Sequence, residues 1–91
     1  MRREYQSVTL PDGARAIILD WTNSQGPDQN LVCTEPDGRV RWTAELPTTD
    51  PTDCFVAVRQ DGNRLLANTM SCHAVWIDPA TGQTLKTQFT R

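Results

Sequence analysis

The residue types best suited to metal binding or nucleophilic chemistry are three cysteines and one histidine, namely Cys33, Cys54, Cys72 and His73. Structural zinc sites take paired ligands at short spacing, and adjacent Cys72 and His73 do not form such a pair. A cysteine nucleophile needs a base and an orienting group, whereas neighbouring strand residues point to opposite faces. We therefore expect no metal site, no cofactor and no enzymatic activity.

Acidic residues form the next group with possible chemistry, because paired carboxylates can bind calcium or act as acid and base. Four of them stand at or beside a glycine-containing turn: Asp12, Asp37, Asp61 and Asp78. An aspartate side chain in such a turn binds the backbone two residues further on, which is a sufficient structural reason for its presence. We interpret these carboxylates as turn residues.

Aromatic and arginine side chains give the remaining candidates for a binding surface. The candidate residues are Trp21, Trp42, Trp76, Arg39 and Arg41. A tryptophan face can stack on the apolar side of a sugar ring, although strand aromatics are usually core residues. Two arginines on one strand face could contact an acidic partner, although such a face is more commonly only solvated.

The turns that must position these residues follow a clear pattern. Glycines follow a short polar residue at four places, Gly13, Gly38, Gly62 and Gly82, and each lies between two runs of β-forming residues. Asp-Gly between apolar runs is a strong hairpin signal, and no window shows helical periodicity. The sequence predicts an all-β fold of two consecutive four-stranded antiparallel meanders.

The two halves of the chain resemble each other. Asp12-Gly13 aligns with Asp61-Gly62, and Leu31 aligns with Val75. An internal duplication of this kind is typical of arrays of β units. We predict a single domain over residues 1–91, with repeats of about 5–46 and 54–90 and a proline-containing linker at 47–53.

A family resemblance rests on the second half of each repeat. The segment from Ile77 to Leu85, which reads Ile-Asp-Pro-Ala-Thr-Gly-Gln-Thr-Leu, resembles the repeat of quinoprotein-type (PQQ-like) β-propellers, and Cys33 to Trp42 echoes it with Trp42 at the repeat's tryptophan position. The resemblance implies blade-like units. Propellers close with about four to eight blades, so two units either pack as a small sandwich or barrel, or are completed by oligomerisation. A quinone cofactor needs the channel of a complete propeller, so we do not expect one.

The strand pattern also predicts a core and the state of the thiols. The residues expected to be buried are Ile17, Leu19, Leu31, Val56, Leu66, Val75 and Ile77. Cys54 and Cys72 stand at the starts of two strands that flank a third, about 10 Å apart. A disulfide needs Cα atoms within about 4.4–6.8 Å, so we expect three free thiols, unless the loop before Cys72 folds back and closes the gap.

Composition limits the partners. The 91 residues carry a net charge of −2 with a pI of about 5.1, so we expect no nucleic acid partner. No run approaches the roughly 20 apolar residues of a membrane helix, and the first residues lack the apolar run of a signal peptide, so we predict a cytoplasmic protein. The predicted function is a non-enzymatic binding module with a protein partner, acting as a monomer or small homo-oligomer. The alternative is a carbohydrate-binding protein that assembles a propeller from two-blade chains.

Overall fold

The structure, a computed structural model, describes residues 2–22 and 25–90. This part of the chain contains no helix and is all β. Its strands are β1 (Glu4–Thr9), β2 (Arg15–Leu19), β3 (Leu31–Thr34), β4 (Val40–Thr43), β5 (Phe55–Asp61), β6 (Arg64–Thr69), β7 (His73–Ile77) and β8 (Thr84–Phe89).

The strands form two antiparallel sheets in chain order. Sheet 1 has the order β1-β2-β3-β4 and sheet 2 the order β5-β6-β7-β8. All four hairpin glycines have positive φ, between 62° for Gly62 and 92° for Gly38, as tight hairpin turns require. The predicted fold class, two consecutive four-stranded antiparallel meanders, is therefore confirmed.

The hydrophobic core lies between the two sheets. Sheet 1 contributes Ala16, Ile18, Leu31, Cys33 and Trp42, and sheet 2 contributes Phe55, Val58, Leu65, Ala67, Val75 and Ile77. Register explains this selection, because Ala16 pairs with Cys33 and Cys33 pairs with Trp42, so these three side chains share one face.

The core prediction is confirmed for Leu31, Leu66, Val75 and Ile77, which are buried, and is wrong for Ile17, Leu19 and Val56, which are only half-buried. In β2 the alternate residues Ala16 and Ile18 face the core instead. The run from Ala16 to Leu19 is continuously apolar, and because side chains alternate between faces, such a run does not reveal which residues point inward.

The two sheets meet along their first strands. Strand β5 contacts both β1 and β2, and the backbone N–H of Val58 in β5 donates to Gln6 Oε1 in β1 at 3.0 Å. The open edge of β5 is thereby partly closed by a side chain of the other sheet. This contact fixes the relative position of the sheets on one side of the core.

The side of the molecule near the 47–53 linker, here called the linker end, joins the sheets through buried polar groups. Asn30 is fully buried; its Nδ2 donates to the carbonyl oxygens of Leu19 (2.9 Å) and Phe55 (2.8 Å), and its Oδ1 accepts from Phe55 N at 2.8 Å. The N–H of Asp28 donates to Asp53 O at 3.0 Å. The Asn30 side-chain amide thus links the two sheets, because it both donates to and accepts from backbone groups, as a neighbouring strand would.

All three cysteines are free, with Cys33 and Cys54 buried and Cys72 exposed. Burial raises the pKa of the Cys33 and Cys54 thiols, so both stay protonated at neutral pH. Over residues 2–22 and 25–90, no helix has the length and apolarity needed to cross a membrane.

Candidate binding cleft

Three hairpin turns converge at the opposite side of the molecule, here called the turn end, and enclose a cleft of about 370 Å³. Its apolar walls are Leu10 and Pro11 from the β1–β2 turn and Pro79 and Ala80 from the β7–β8 turn. Arg64, next to the β5–β6 turn, also lines it. The cleft therefore belongs to both sheets and exists only when they are packed together.

Arg41 forms one border of the cleft and is bound by two carboxylates. Its Nε donates to Glu35 Oε2 at 3.0 Å, while its Nη2 donates to Glu35 Oε1 at 2.7 Å and to Asp12 Oδ2 at 3.0 Å. Only 17% of the Arg41 side chain is exposed. A guanidinium that binds a carboxylate in this bidentate way is fixed in orientation, so Arg41 connects the first two hairpins rigidly.

These contacts shift the protonation equilibria of the carboxylates. The pKa of Glu35 is lowered, chiefly by hydrogen bonds from Arg41. The pKa of Asp12 is lowered first by the backbone N–H of Ala14 and then by Arg41. The same pairing raises the pKa of Arg41. All three groups therefore remain charged at neutral pH and already satisfy one another.

Trp42 lies beneath the cleft wall and not at its surface. It is 7% exposed, and its Nε1 donates to Pro79 O at 2.8 Å. A Cβ built on Gly82 would lie 2.6 Å from Trp42 Cγ, so the backbone of the β7–β8 turn rests directly on the indole ring. Trp42 positions this wall of the cleft and offers no ring face to a ligand.

Trp76 lies on the outer face of sheet 2, half-buried. Its Nε1 donates to Asp61 Oδ2 at 3.0 Å. Two cations cover its ring, since Lys86 Nζ is 4.9 Å and Arg64 Cζ 5.9 Å from the ring centroid. Trp76 therefore holds Arg64 at the mouth of the cleft while its own ring face is occupied.

The other two sequence-predicted residues lie apart from the cleft. Trp21 packs edge-on against Tyr5, with ring centroids 4.6 Å apart, and faces Asp28 and Pro51 at the linker end. Arg39 is exposed and pairs with Asp37, Nε to Oδ2 at 2.7 Å. Of the five candidates, the structure brings only Arg41 to the cleft lining, with Trp42 behind one wall and Trp76 behind Arg64.

Sequence reasoning did not single out Arg64 or the apolar wall residues. In the sequence Arg64 is one of several arginines beside hairpin turns, and Leu10, Pro11 and Pro79 follow ordinary turn chemistry. The available signal was the hairpin spacing itself, because hairpins of similar length place their turns at one end of each sheet. The sequence did not show how closely the two sets of turns approach.

A second polar cluster, at the linker end, combines a buried aspartate, a serine and a histidine. Asp53 accepts four hydrogen bonds, from Thr48 Oγ1 (2.6 Å), Cys54 N (3.0 Å), and the N (3.1 Å) and Oγ (2.9 Å) of Ser71. Ser71 Oγ also lies 3.0 Å from His73 Nδ1.

The direction of these bonds gives the cluster a structural role. Ser71 has one hydroxyl proton and donates it to Asp53, so His73 is not placed to remove that proton as a nucleophile would require. Among the described residues, no group of three or more histidine, cysteine and acidic side chains is arranged to hold a metal ion.

Comparison with protein families places the chain in a defined group. The family described as "Domain of unknown function (DUF7957)" matches residues 1–89, and the chain belongs to this family. Comparison with curated proteins and with solved structures gave no significant match.

Proposed function

We propose that the chain is a non-enzymatic protein-binding module, and that its turn-end cleft receives an apolar side chain from an extended segment of the partner. The observation that carries this proposal is the combination of carbon-lined walls with a border whose charges are already paired. The walls are formed by Leu10, Pro11, Pro79 and Ala80. One border is formed by Arg41 with its partners Asp12 and Glu35, here called the Arg41 cluster.

Size supports an apolar anchor of a larger partner over a free small molecule. Ligand pockets usually enclose about 300–1,000 Å³ and bury most of the ligand. The volume here, about 370 Å³, lies near the lower limit of that range. A space of this size accommodates one or two side chains of a polypeptide, whose remaining residues would lie on the surrounding turns.

The border supplies polar groups for the partner's backbone. The Arg64 side chain is 44% exposed, and its Nη2 lies 3.5 Å from Asp61 Oδ2, a longer separation than those around Arg41. Gln60 and Asn63 line the same side. An apolar centre with a polar border is the usual anatomy of a protein interface.

At the turn end, the placement of Trp42 and Trp76 favours a protein partner over the carbohydrate alternative. Sugar recognition by stacking needs an open aromatic face. Trp42 is buried under Gly82, and Lys86 and Arg64 cover Trp76. Neither ring offers the surface that a pyranose would need.

Selection of peptides from a displayed random library against the intact chain tests the proposal. We expect enriched peptides with a shared apolar residue, and we expect Ala80→Arg to abolish their binding because Ala80 is exposed and lines the cleft. Gln83→Arg is the matched control, since it adds the same charge to the same turn outside the cleft lining.

Two results would contradict the proposal. Peptides that bind both arginine variants as tightly as the parent chain would place the site elsewhere. An array of immobilised glycans, probed with the same three proteins, forms the second arm. Glycan binding without any enriched peptide motif would reject the protein-binding proposal in favour of the carbohydrate alternative.

A further inference from the structure

Strand β8 is a second, separate surface, and within residues 2–22 and 25–90 no other strand pairs with its outer edge. All six of its residues are exposed, including two large apolar ones, Leu85 at 50% and Phe89 at 56%. The edges of β1 and β5 differ, because these strands contact each other. Strand β4, the other outer strand, has only four residues.

The hydrogen bonds of β8 show which of its backbone groups are unpaired. Thr90 N donates to Cys72 O at 2.7 Å, and Phe89 is opposite His73. In an antiparallel ladder, residues alternate between bonding inward and outward, so Lys86 and Gln88 bond to β7, while Thr87 and Phe89 direct their N–H and C=O groups away from the sheet.

Natural edge strands of this kind are normally protected by charge, proline or a bulge. Strand β8 has an irregular register only at its start, opposite Ile77, and contains no proline. Its single charged side chain, Lys86, is turned over the Trp76 ring. The second half of the strand therefore lacks the usual protection against pairing with another strand.

We propose that β8 pairs antiparallel with β8 of a second copy of this chain, centred on Thr87, and joins two copies of sheet 2 into one continuous sheet. In this register Thr87 is opposite Thr87 of the second copy. The outward-directed groups of both threonines then form two backbone hydrogen bonds across the two-fold axis.

The side chains of β8 complement one another in this register. Leu85 lies opposite Phe89 of the second copy, and Phe89 opposite its Leu85, so the two most exposed apolar side chains of the strand cover each other. Lys86 lies opposite Gln88 of the second copy. Lys86, the one charged residue of β8, is therefore not opposite Lys86 of the second copy. Two like charges directly opposite each other in a ladder would be destabilising.

Complementarity to itself is the reason to assign a second copy as the occupant. A register centred one residue earlier would place Lys86 opposite Lys86, and one centred one residue later would place Gln88 opposite Gln88 and pair the inward-bonding groups. Of these three registers, the one centred on Thr87 is the one that both satisfies the outward groups and avoids like charges.

Sedimentation equilibrium of the intact chain and of two charge variants at position 88 tests this pairing. Gln88→Glu places a carboxylate opposite Lys86 at two symmetric positions, and Gln88→Lys places a second ammonium there. We expect the dimer dissociation constant to fall with Gln88→Glu and to rise with Gln88→Lys, by roughly two- to thirty-fold in each direction, with smaller changes at high salt.

A proline variant tests the backbone bonds. Thr87→Pro removes an outward N–H while leaving the β7–β8 bonds intact, a change that edge strands tolerate. We expect this variant to be monomeric with an unchanged circular dichroism spectrum, and Thr87→Ser to remain dimeric. If Thr87→Pro does not fold, the two charge variants still decide the matter.

Two results would overturn the proposal. One is a parent chain that stays monomeric up to the highest concentration at which it remains dissolved. The other is a dimer whose dissociation constant responds equally to both charge variants, because the proposed register requires opposite responses.

Discussion

The linker end and the turn end join the same two sheets by different chemistry. At the linker end, Asn30 is fully buried and bonds to the backbone of both sheets without a formal charge. At the turn end, Arg41 reaches two hairpins and Pro79 O through an ion-paired guanidinium that water still touches.

The difference shows which end contributes more to the stability of the fold. A buried amide that loses its partners leaves polar groups that water cannot reach, so its removal is costly. An ion pair near the surface competes with water and contributes little net stability. The linker end should therefore contribute most of the stability that holds the sheets together. The turn end can form a binding surface while contributing less to the stability of the fold.

The sharpest test of this comparison is Asn30→Ala, for which we expect the largest effect. The substitution removes the bonds that Asn30 makes to two buried backbone groups, Phe55 O and Phe55 N, and to the part-buried Leu19 O. We expect the free energy of unfolding to fall by about 3 kcal/mol or more, measured by urea denaturation. Gln29→Ala, at the exposed neighbour, is the control, and equal losses in both variants would contradict the role given to Asn30.

An intermediate effect is expected at the turn end from Gly82→Ala. The new methyl would collide with Trp42, and φ of 78° is unfavourable for alanine. We expect a loss of about 2–3 kcal/mol. Gly38→Ala, with φ of 92° and no atom within 4 Å of the new Cβ, has the strain without the collision and should cost about 1 kcal/mol. Similar losses would mean that the turn does not rest on the indole ring.

The smallest effect concerns pH and the Arg41 cluster. The folded-state pKa values of Asp12 and Glu35 are lowered from 3.8 and 4.5. Their contribution to stability is therefore complete above those values and is lost as pH falls through the lowered ones. We expect thermal scans from pH 7 to about pH 3 to show a shallower decline for Arg41→Gln than for the parent chain.

Arg39→Gln is the control for that titration, because the Arg39 side chain donates to exposed Asp37 within the same turn. The pKa of Asp37 is lowered first by the backbone N–H of Arg39 and then by its side chain. The backbone contribution survives the substitution, so the acid profile of Arg39→Gln should stay close to that of the parent. A profile as shallow as that of Arg41→Gln would show that the cluster has no special role.

The sequence was sufficient for the turns because turn chemistry is local. Glycine after a short polar residue reports a positive φ at one position, and this holds at Gly13 as it does at Gly82. The inward face of β2 could not be predicted in the same way. It depends on which side of the strand the second sheet covers, and the unbroken apolar run of β2 is compatible with either side.

The cleft was predictable only in part for the same reason. Arg41 was a candidate because two arginines on one strand face could contact an acidic partner, but its guanidinium binds Glu35 and Asp12 of its own chain. Arg64 and Pro79 come from the other sheet, and their approach to Leu10 follows from how the sheets dock. How the two sheets pack depends on the shapes of all the side chains on both core faces. No short sequence motif encodes that arrangement.

The order of strands in each sheet also bears on how fast the chain folds. Every ladder joins strands that are consecutive in the chain, so each hairpin closes a short loop at a small entropic cost. The contacts of β5 with β1 and β2 instead join segments that are far apart in the chain, as do the side-chain hydrogen bonds between the two sheets. We therefore expect folding faster than in β-sandwiches of the same length whose strands exchange between sheets, with the bond between Gln6 and Val58 among the last to form.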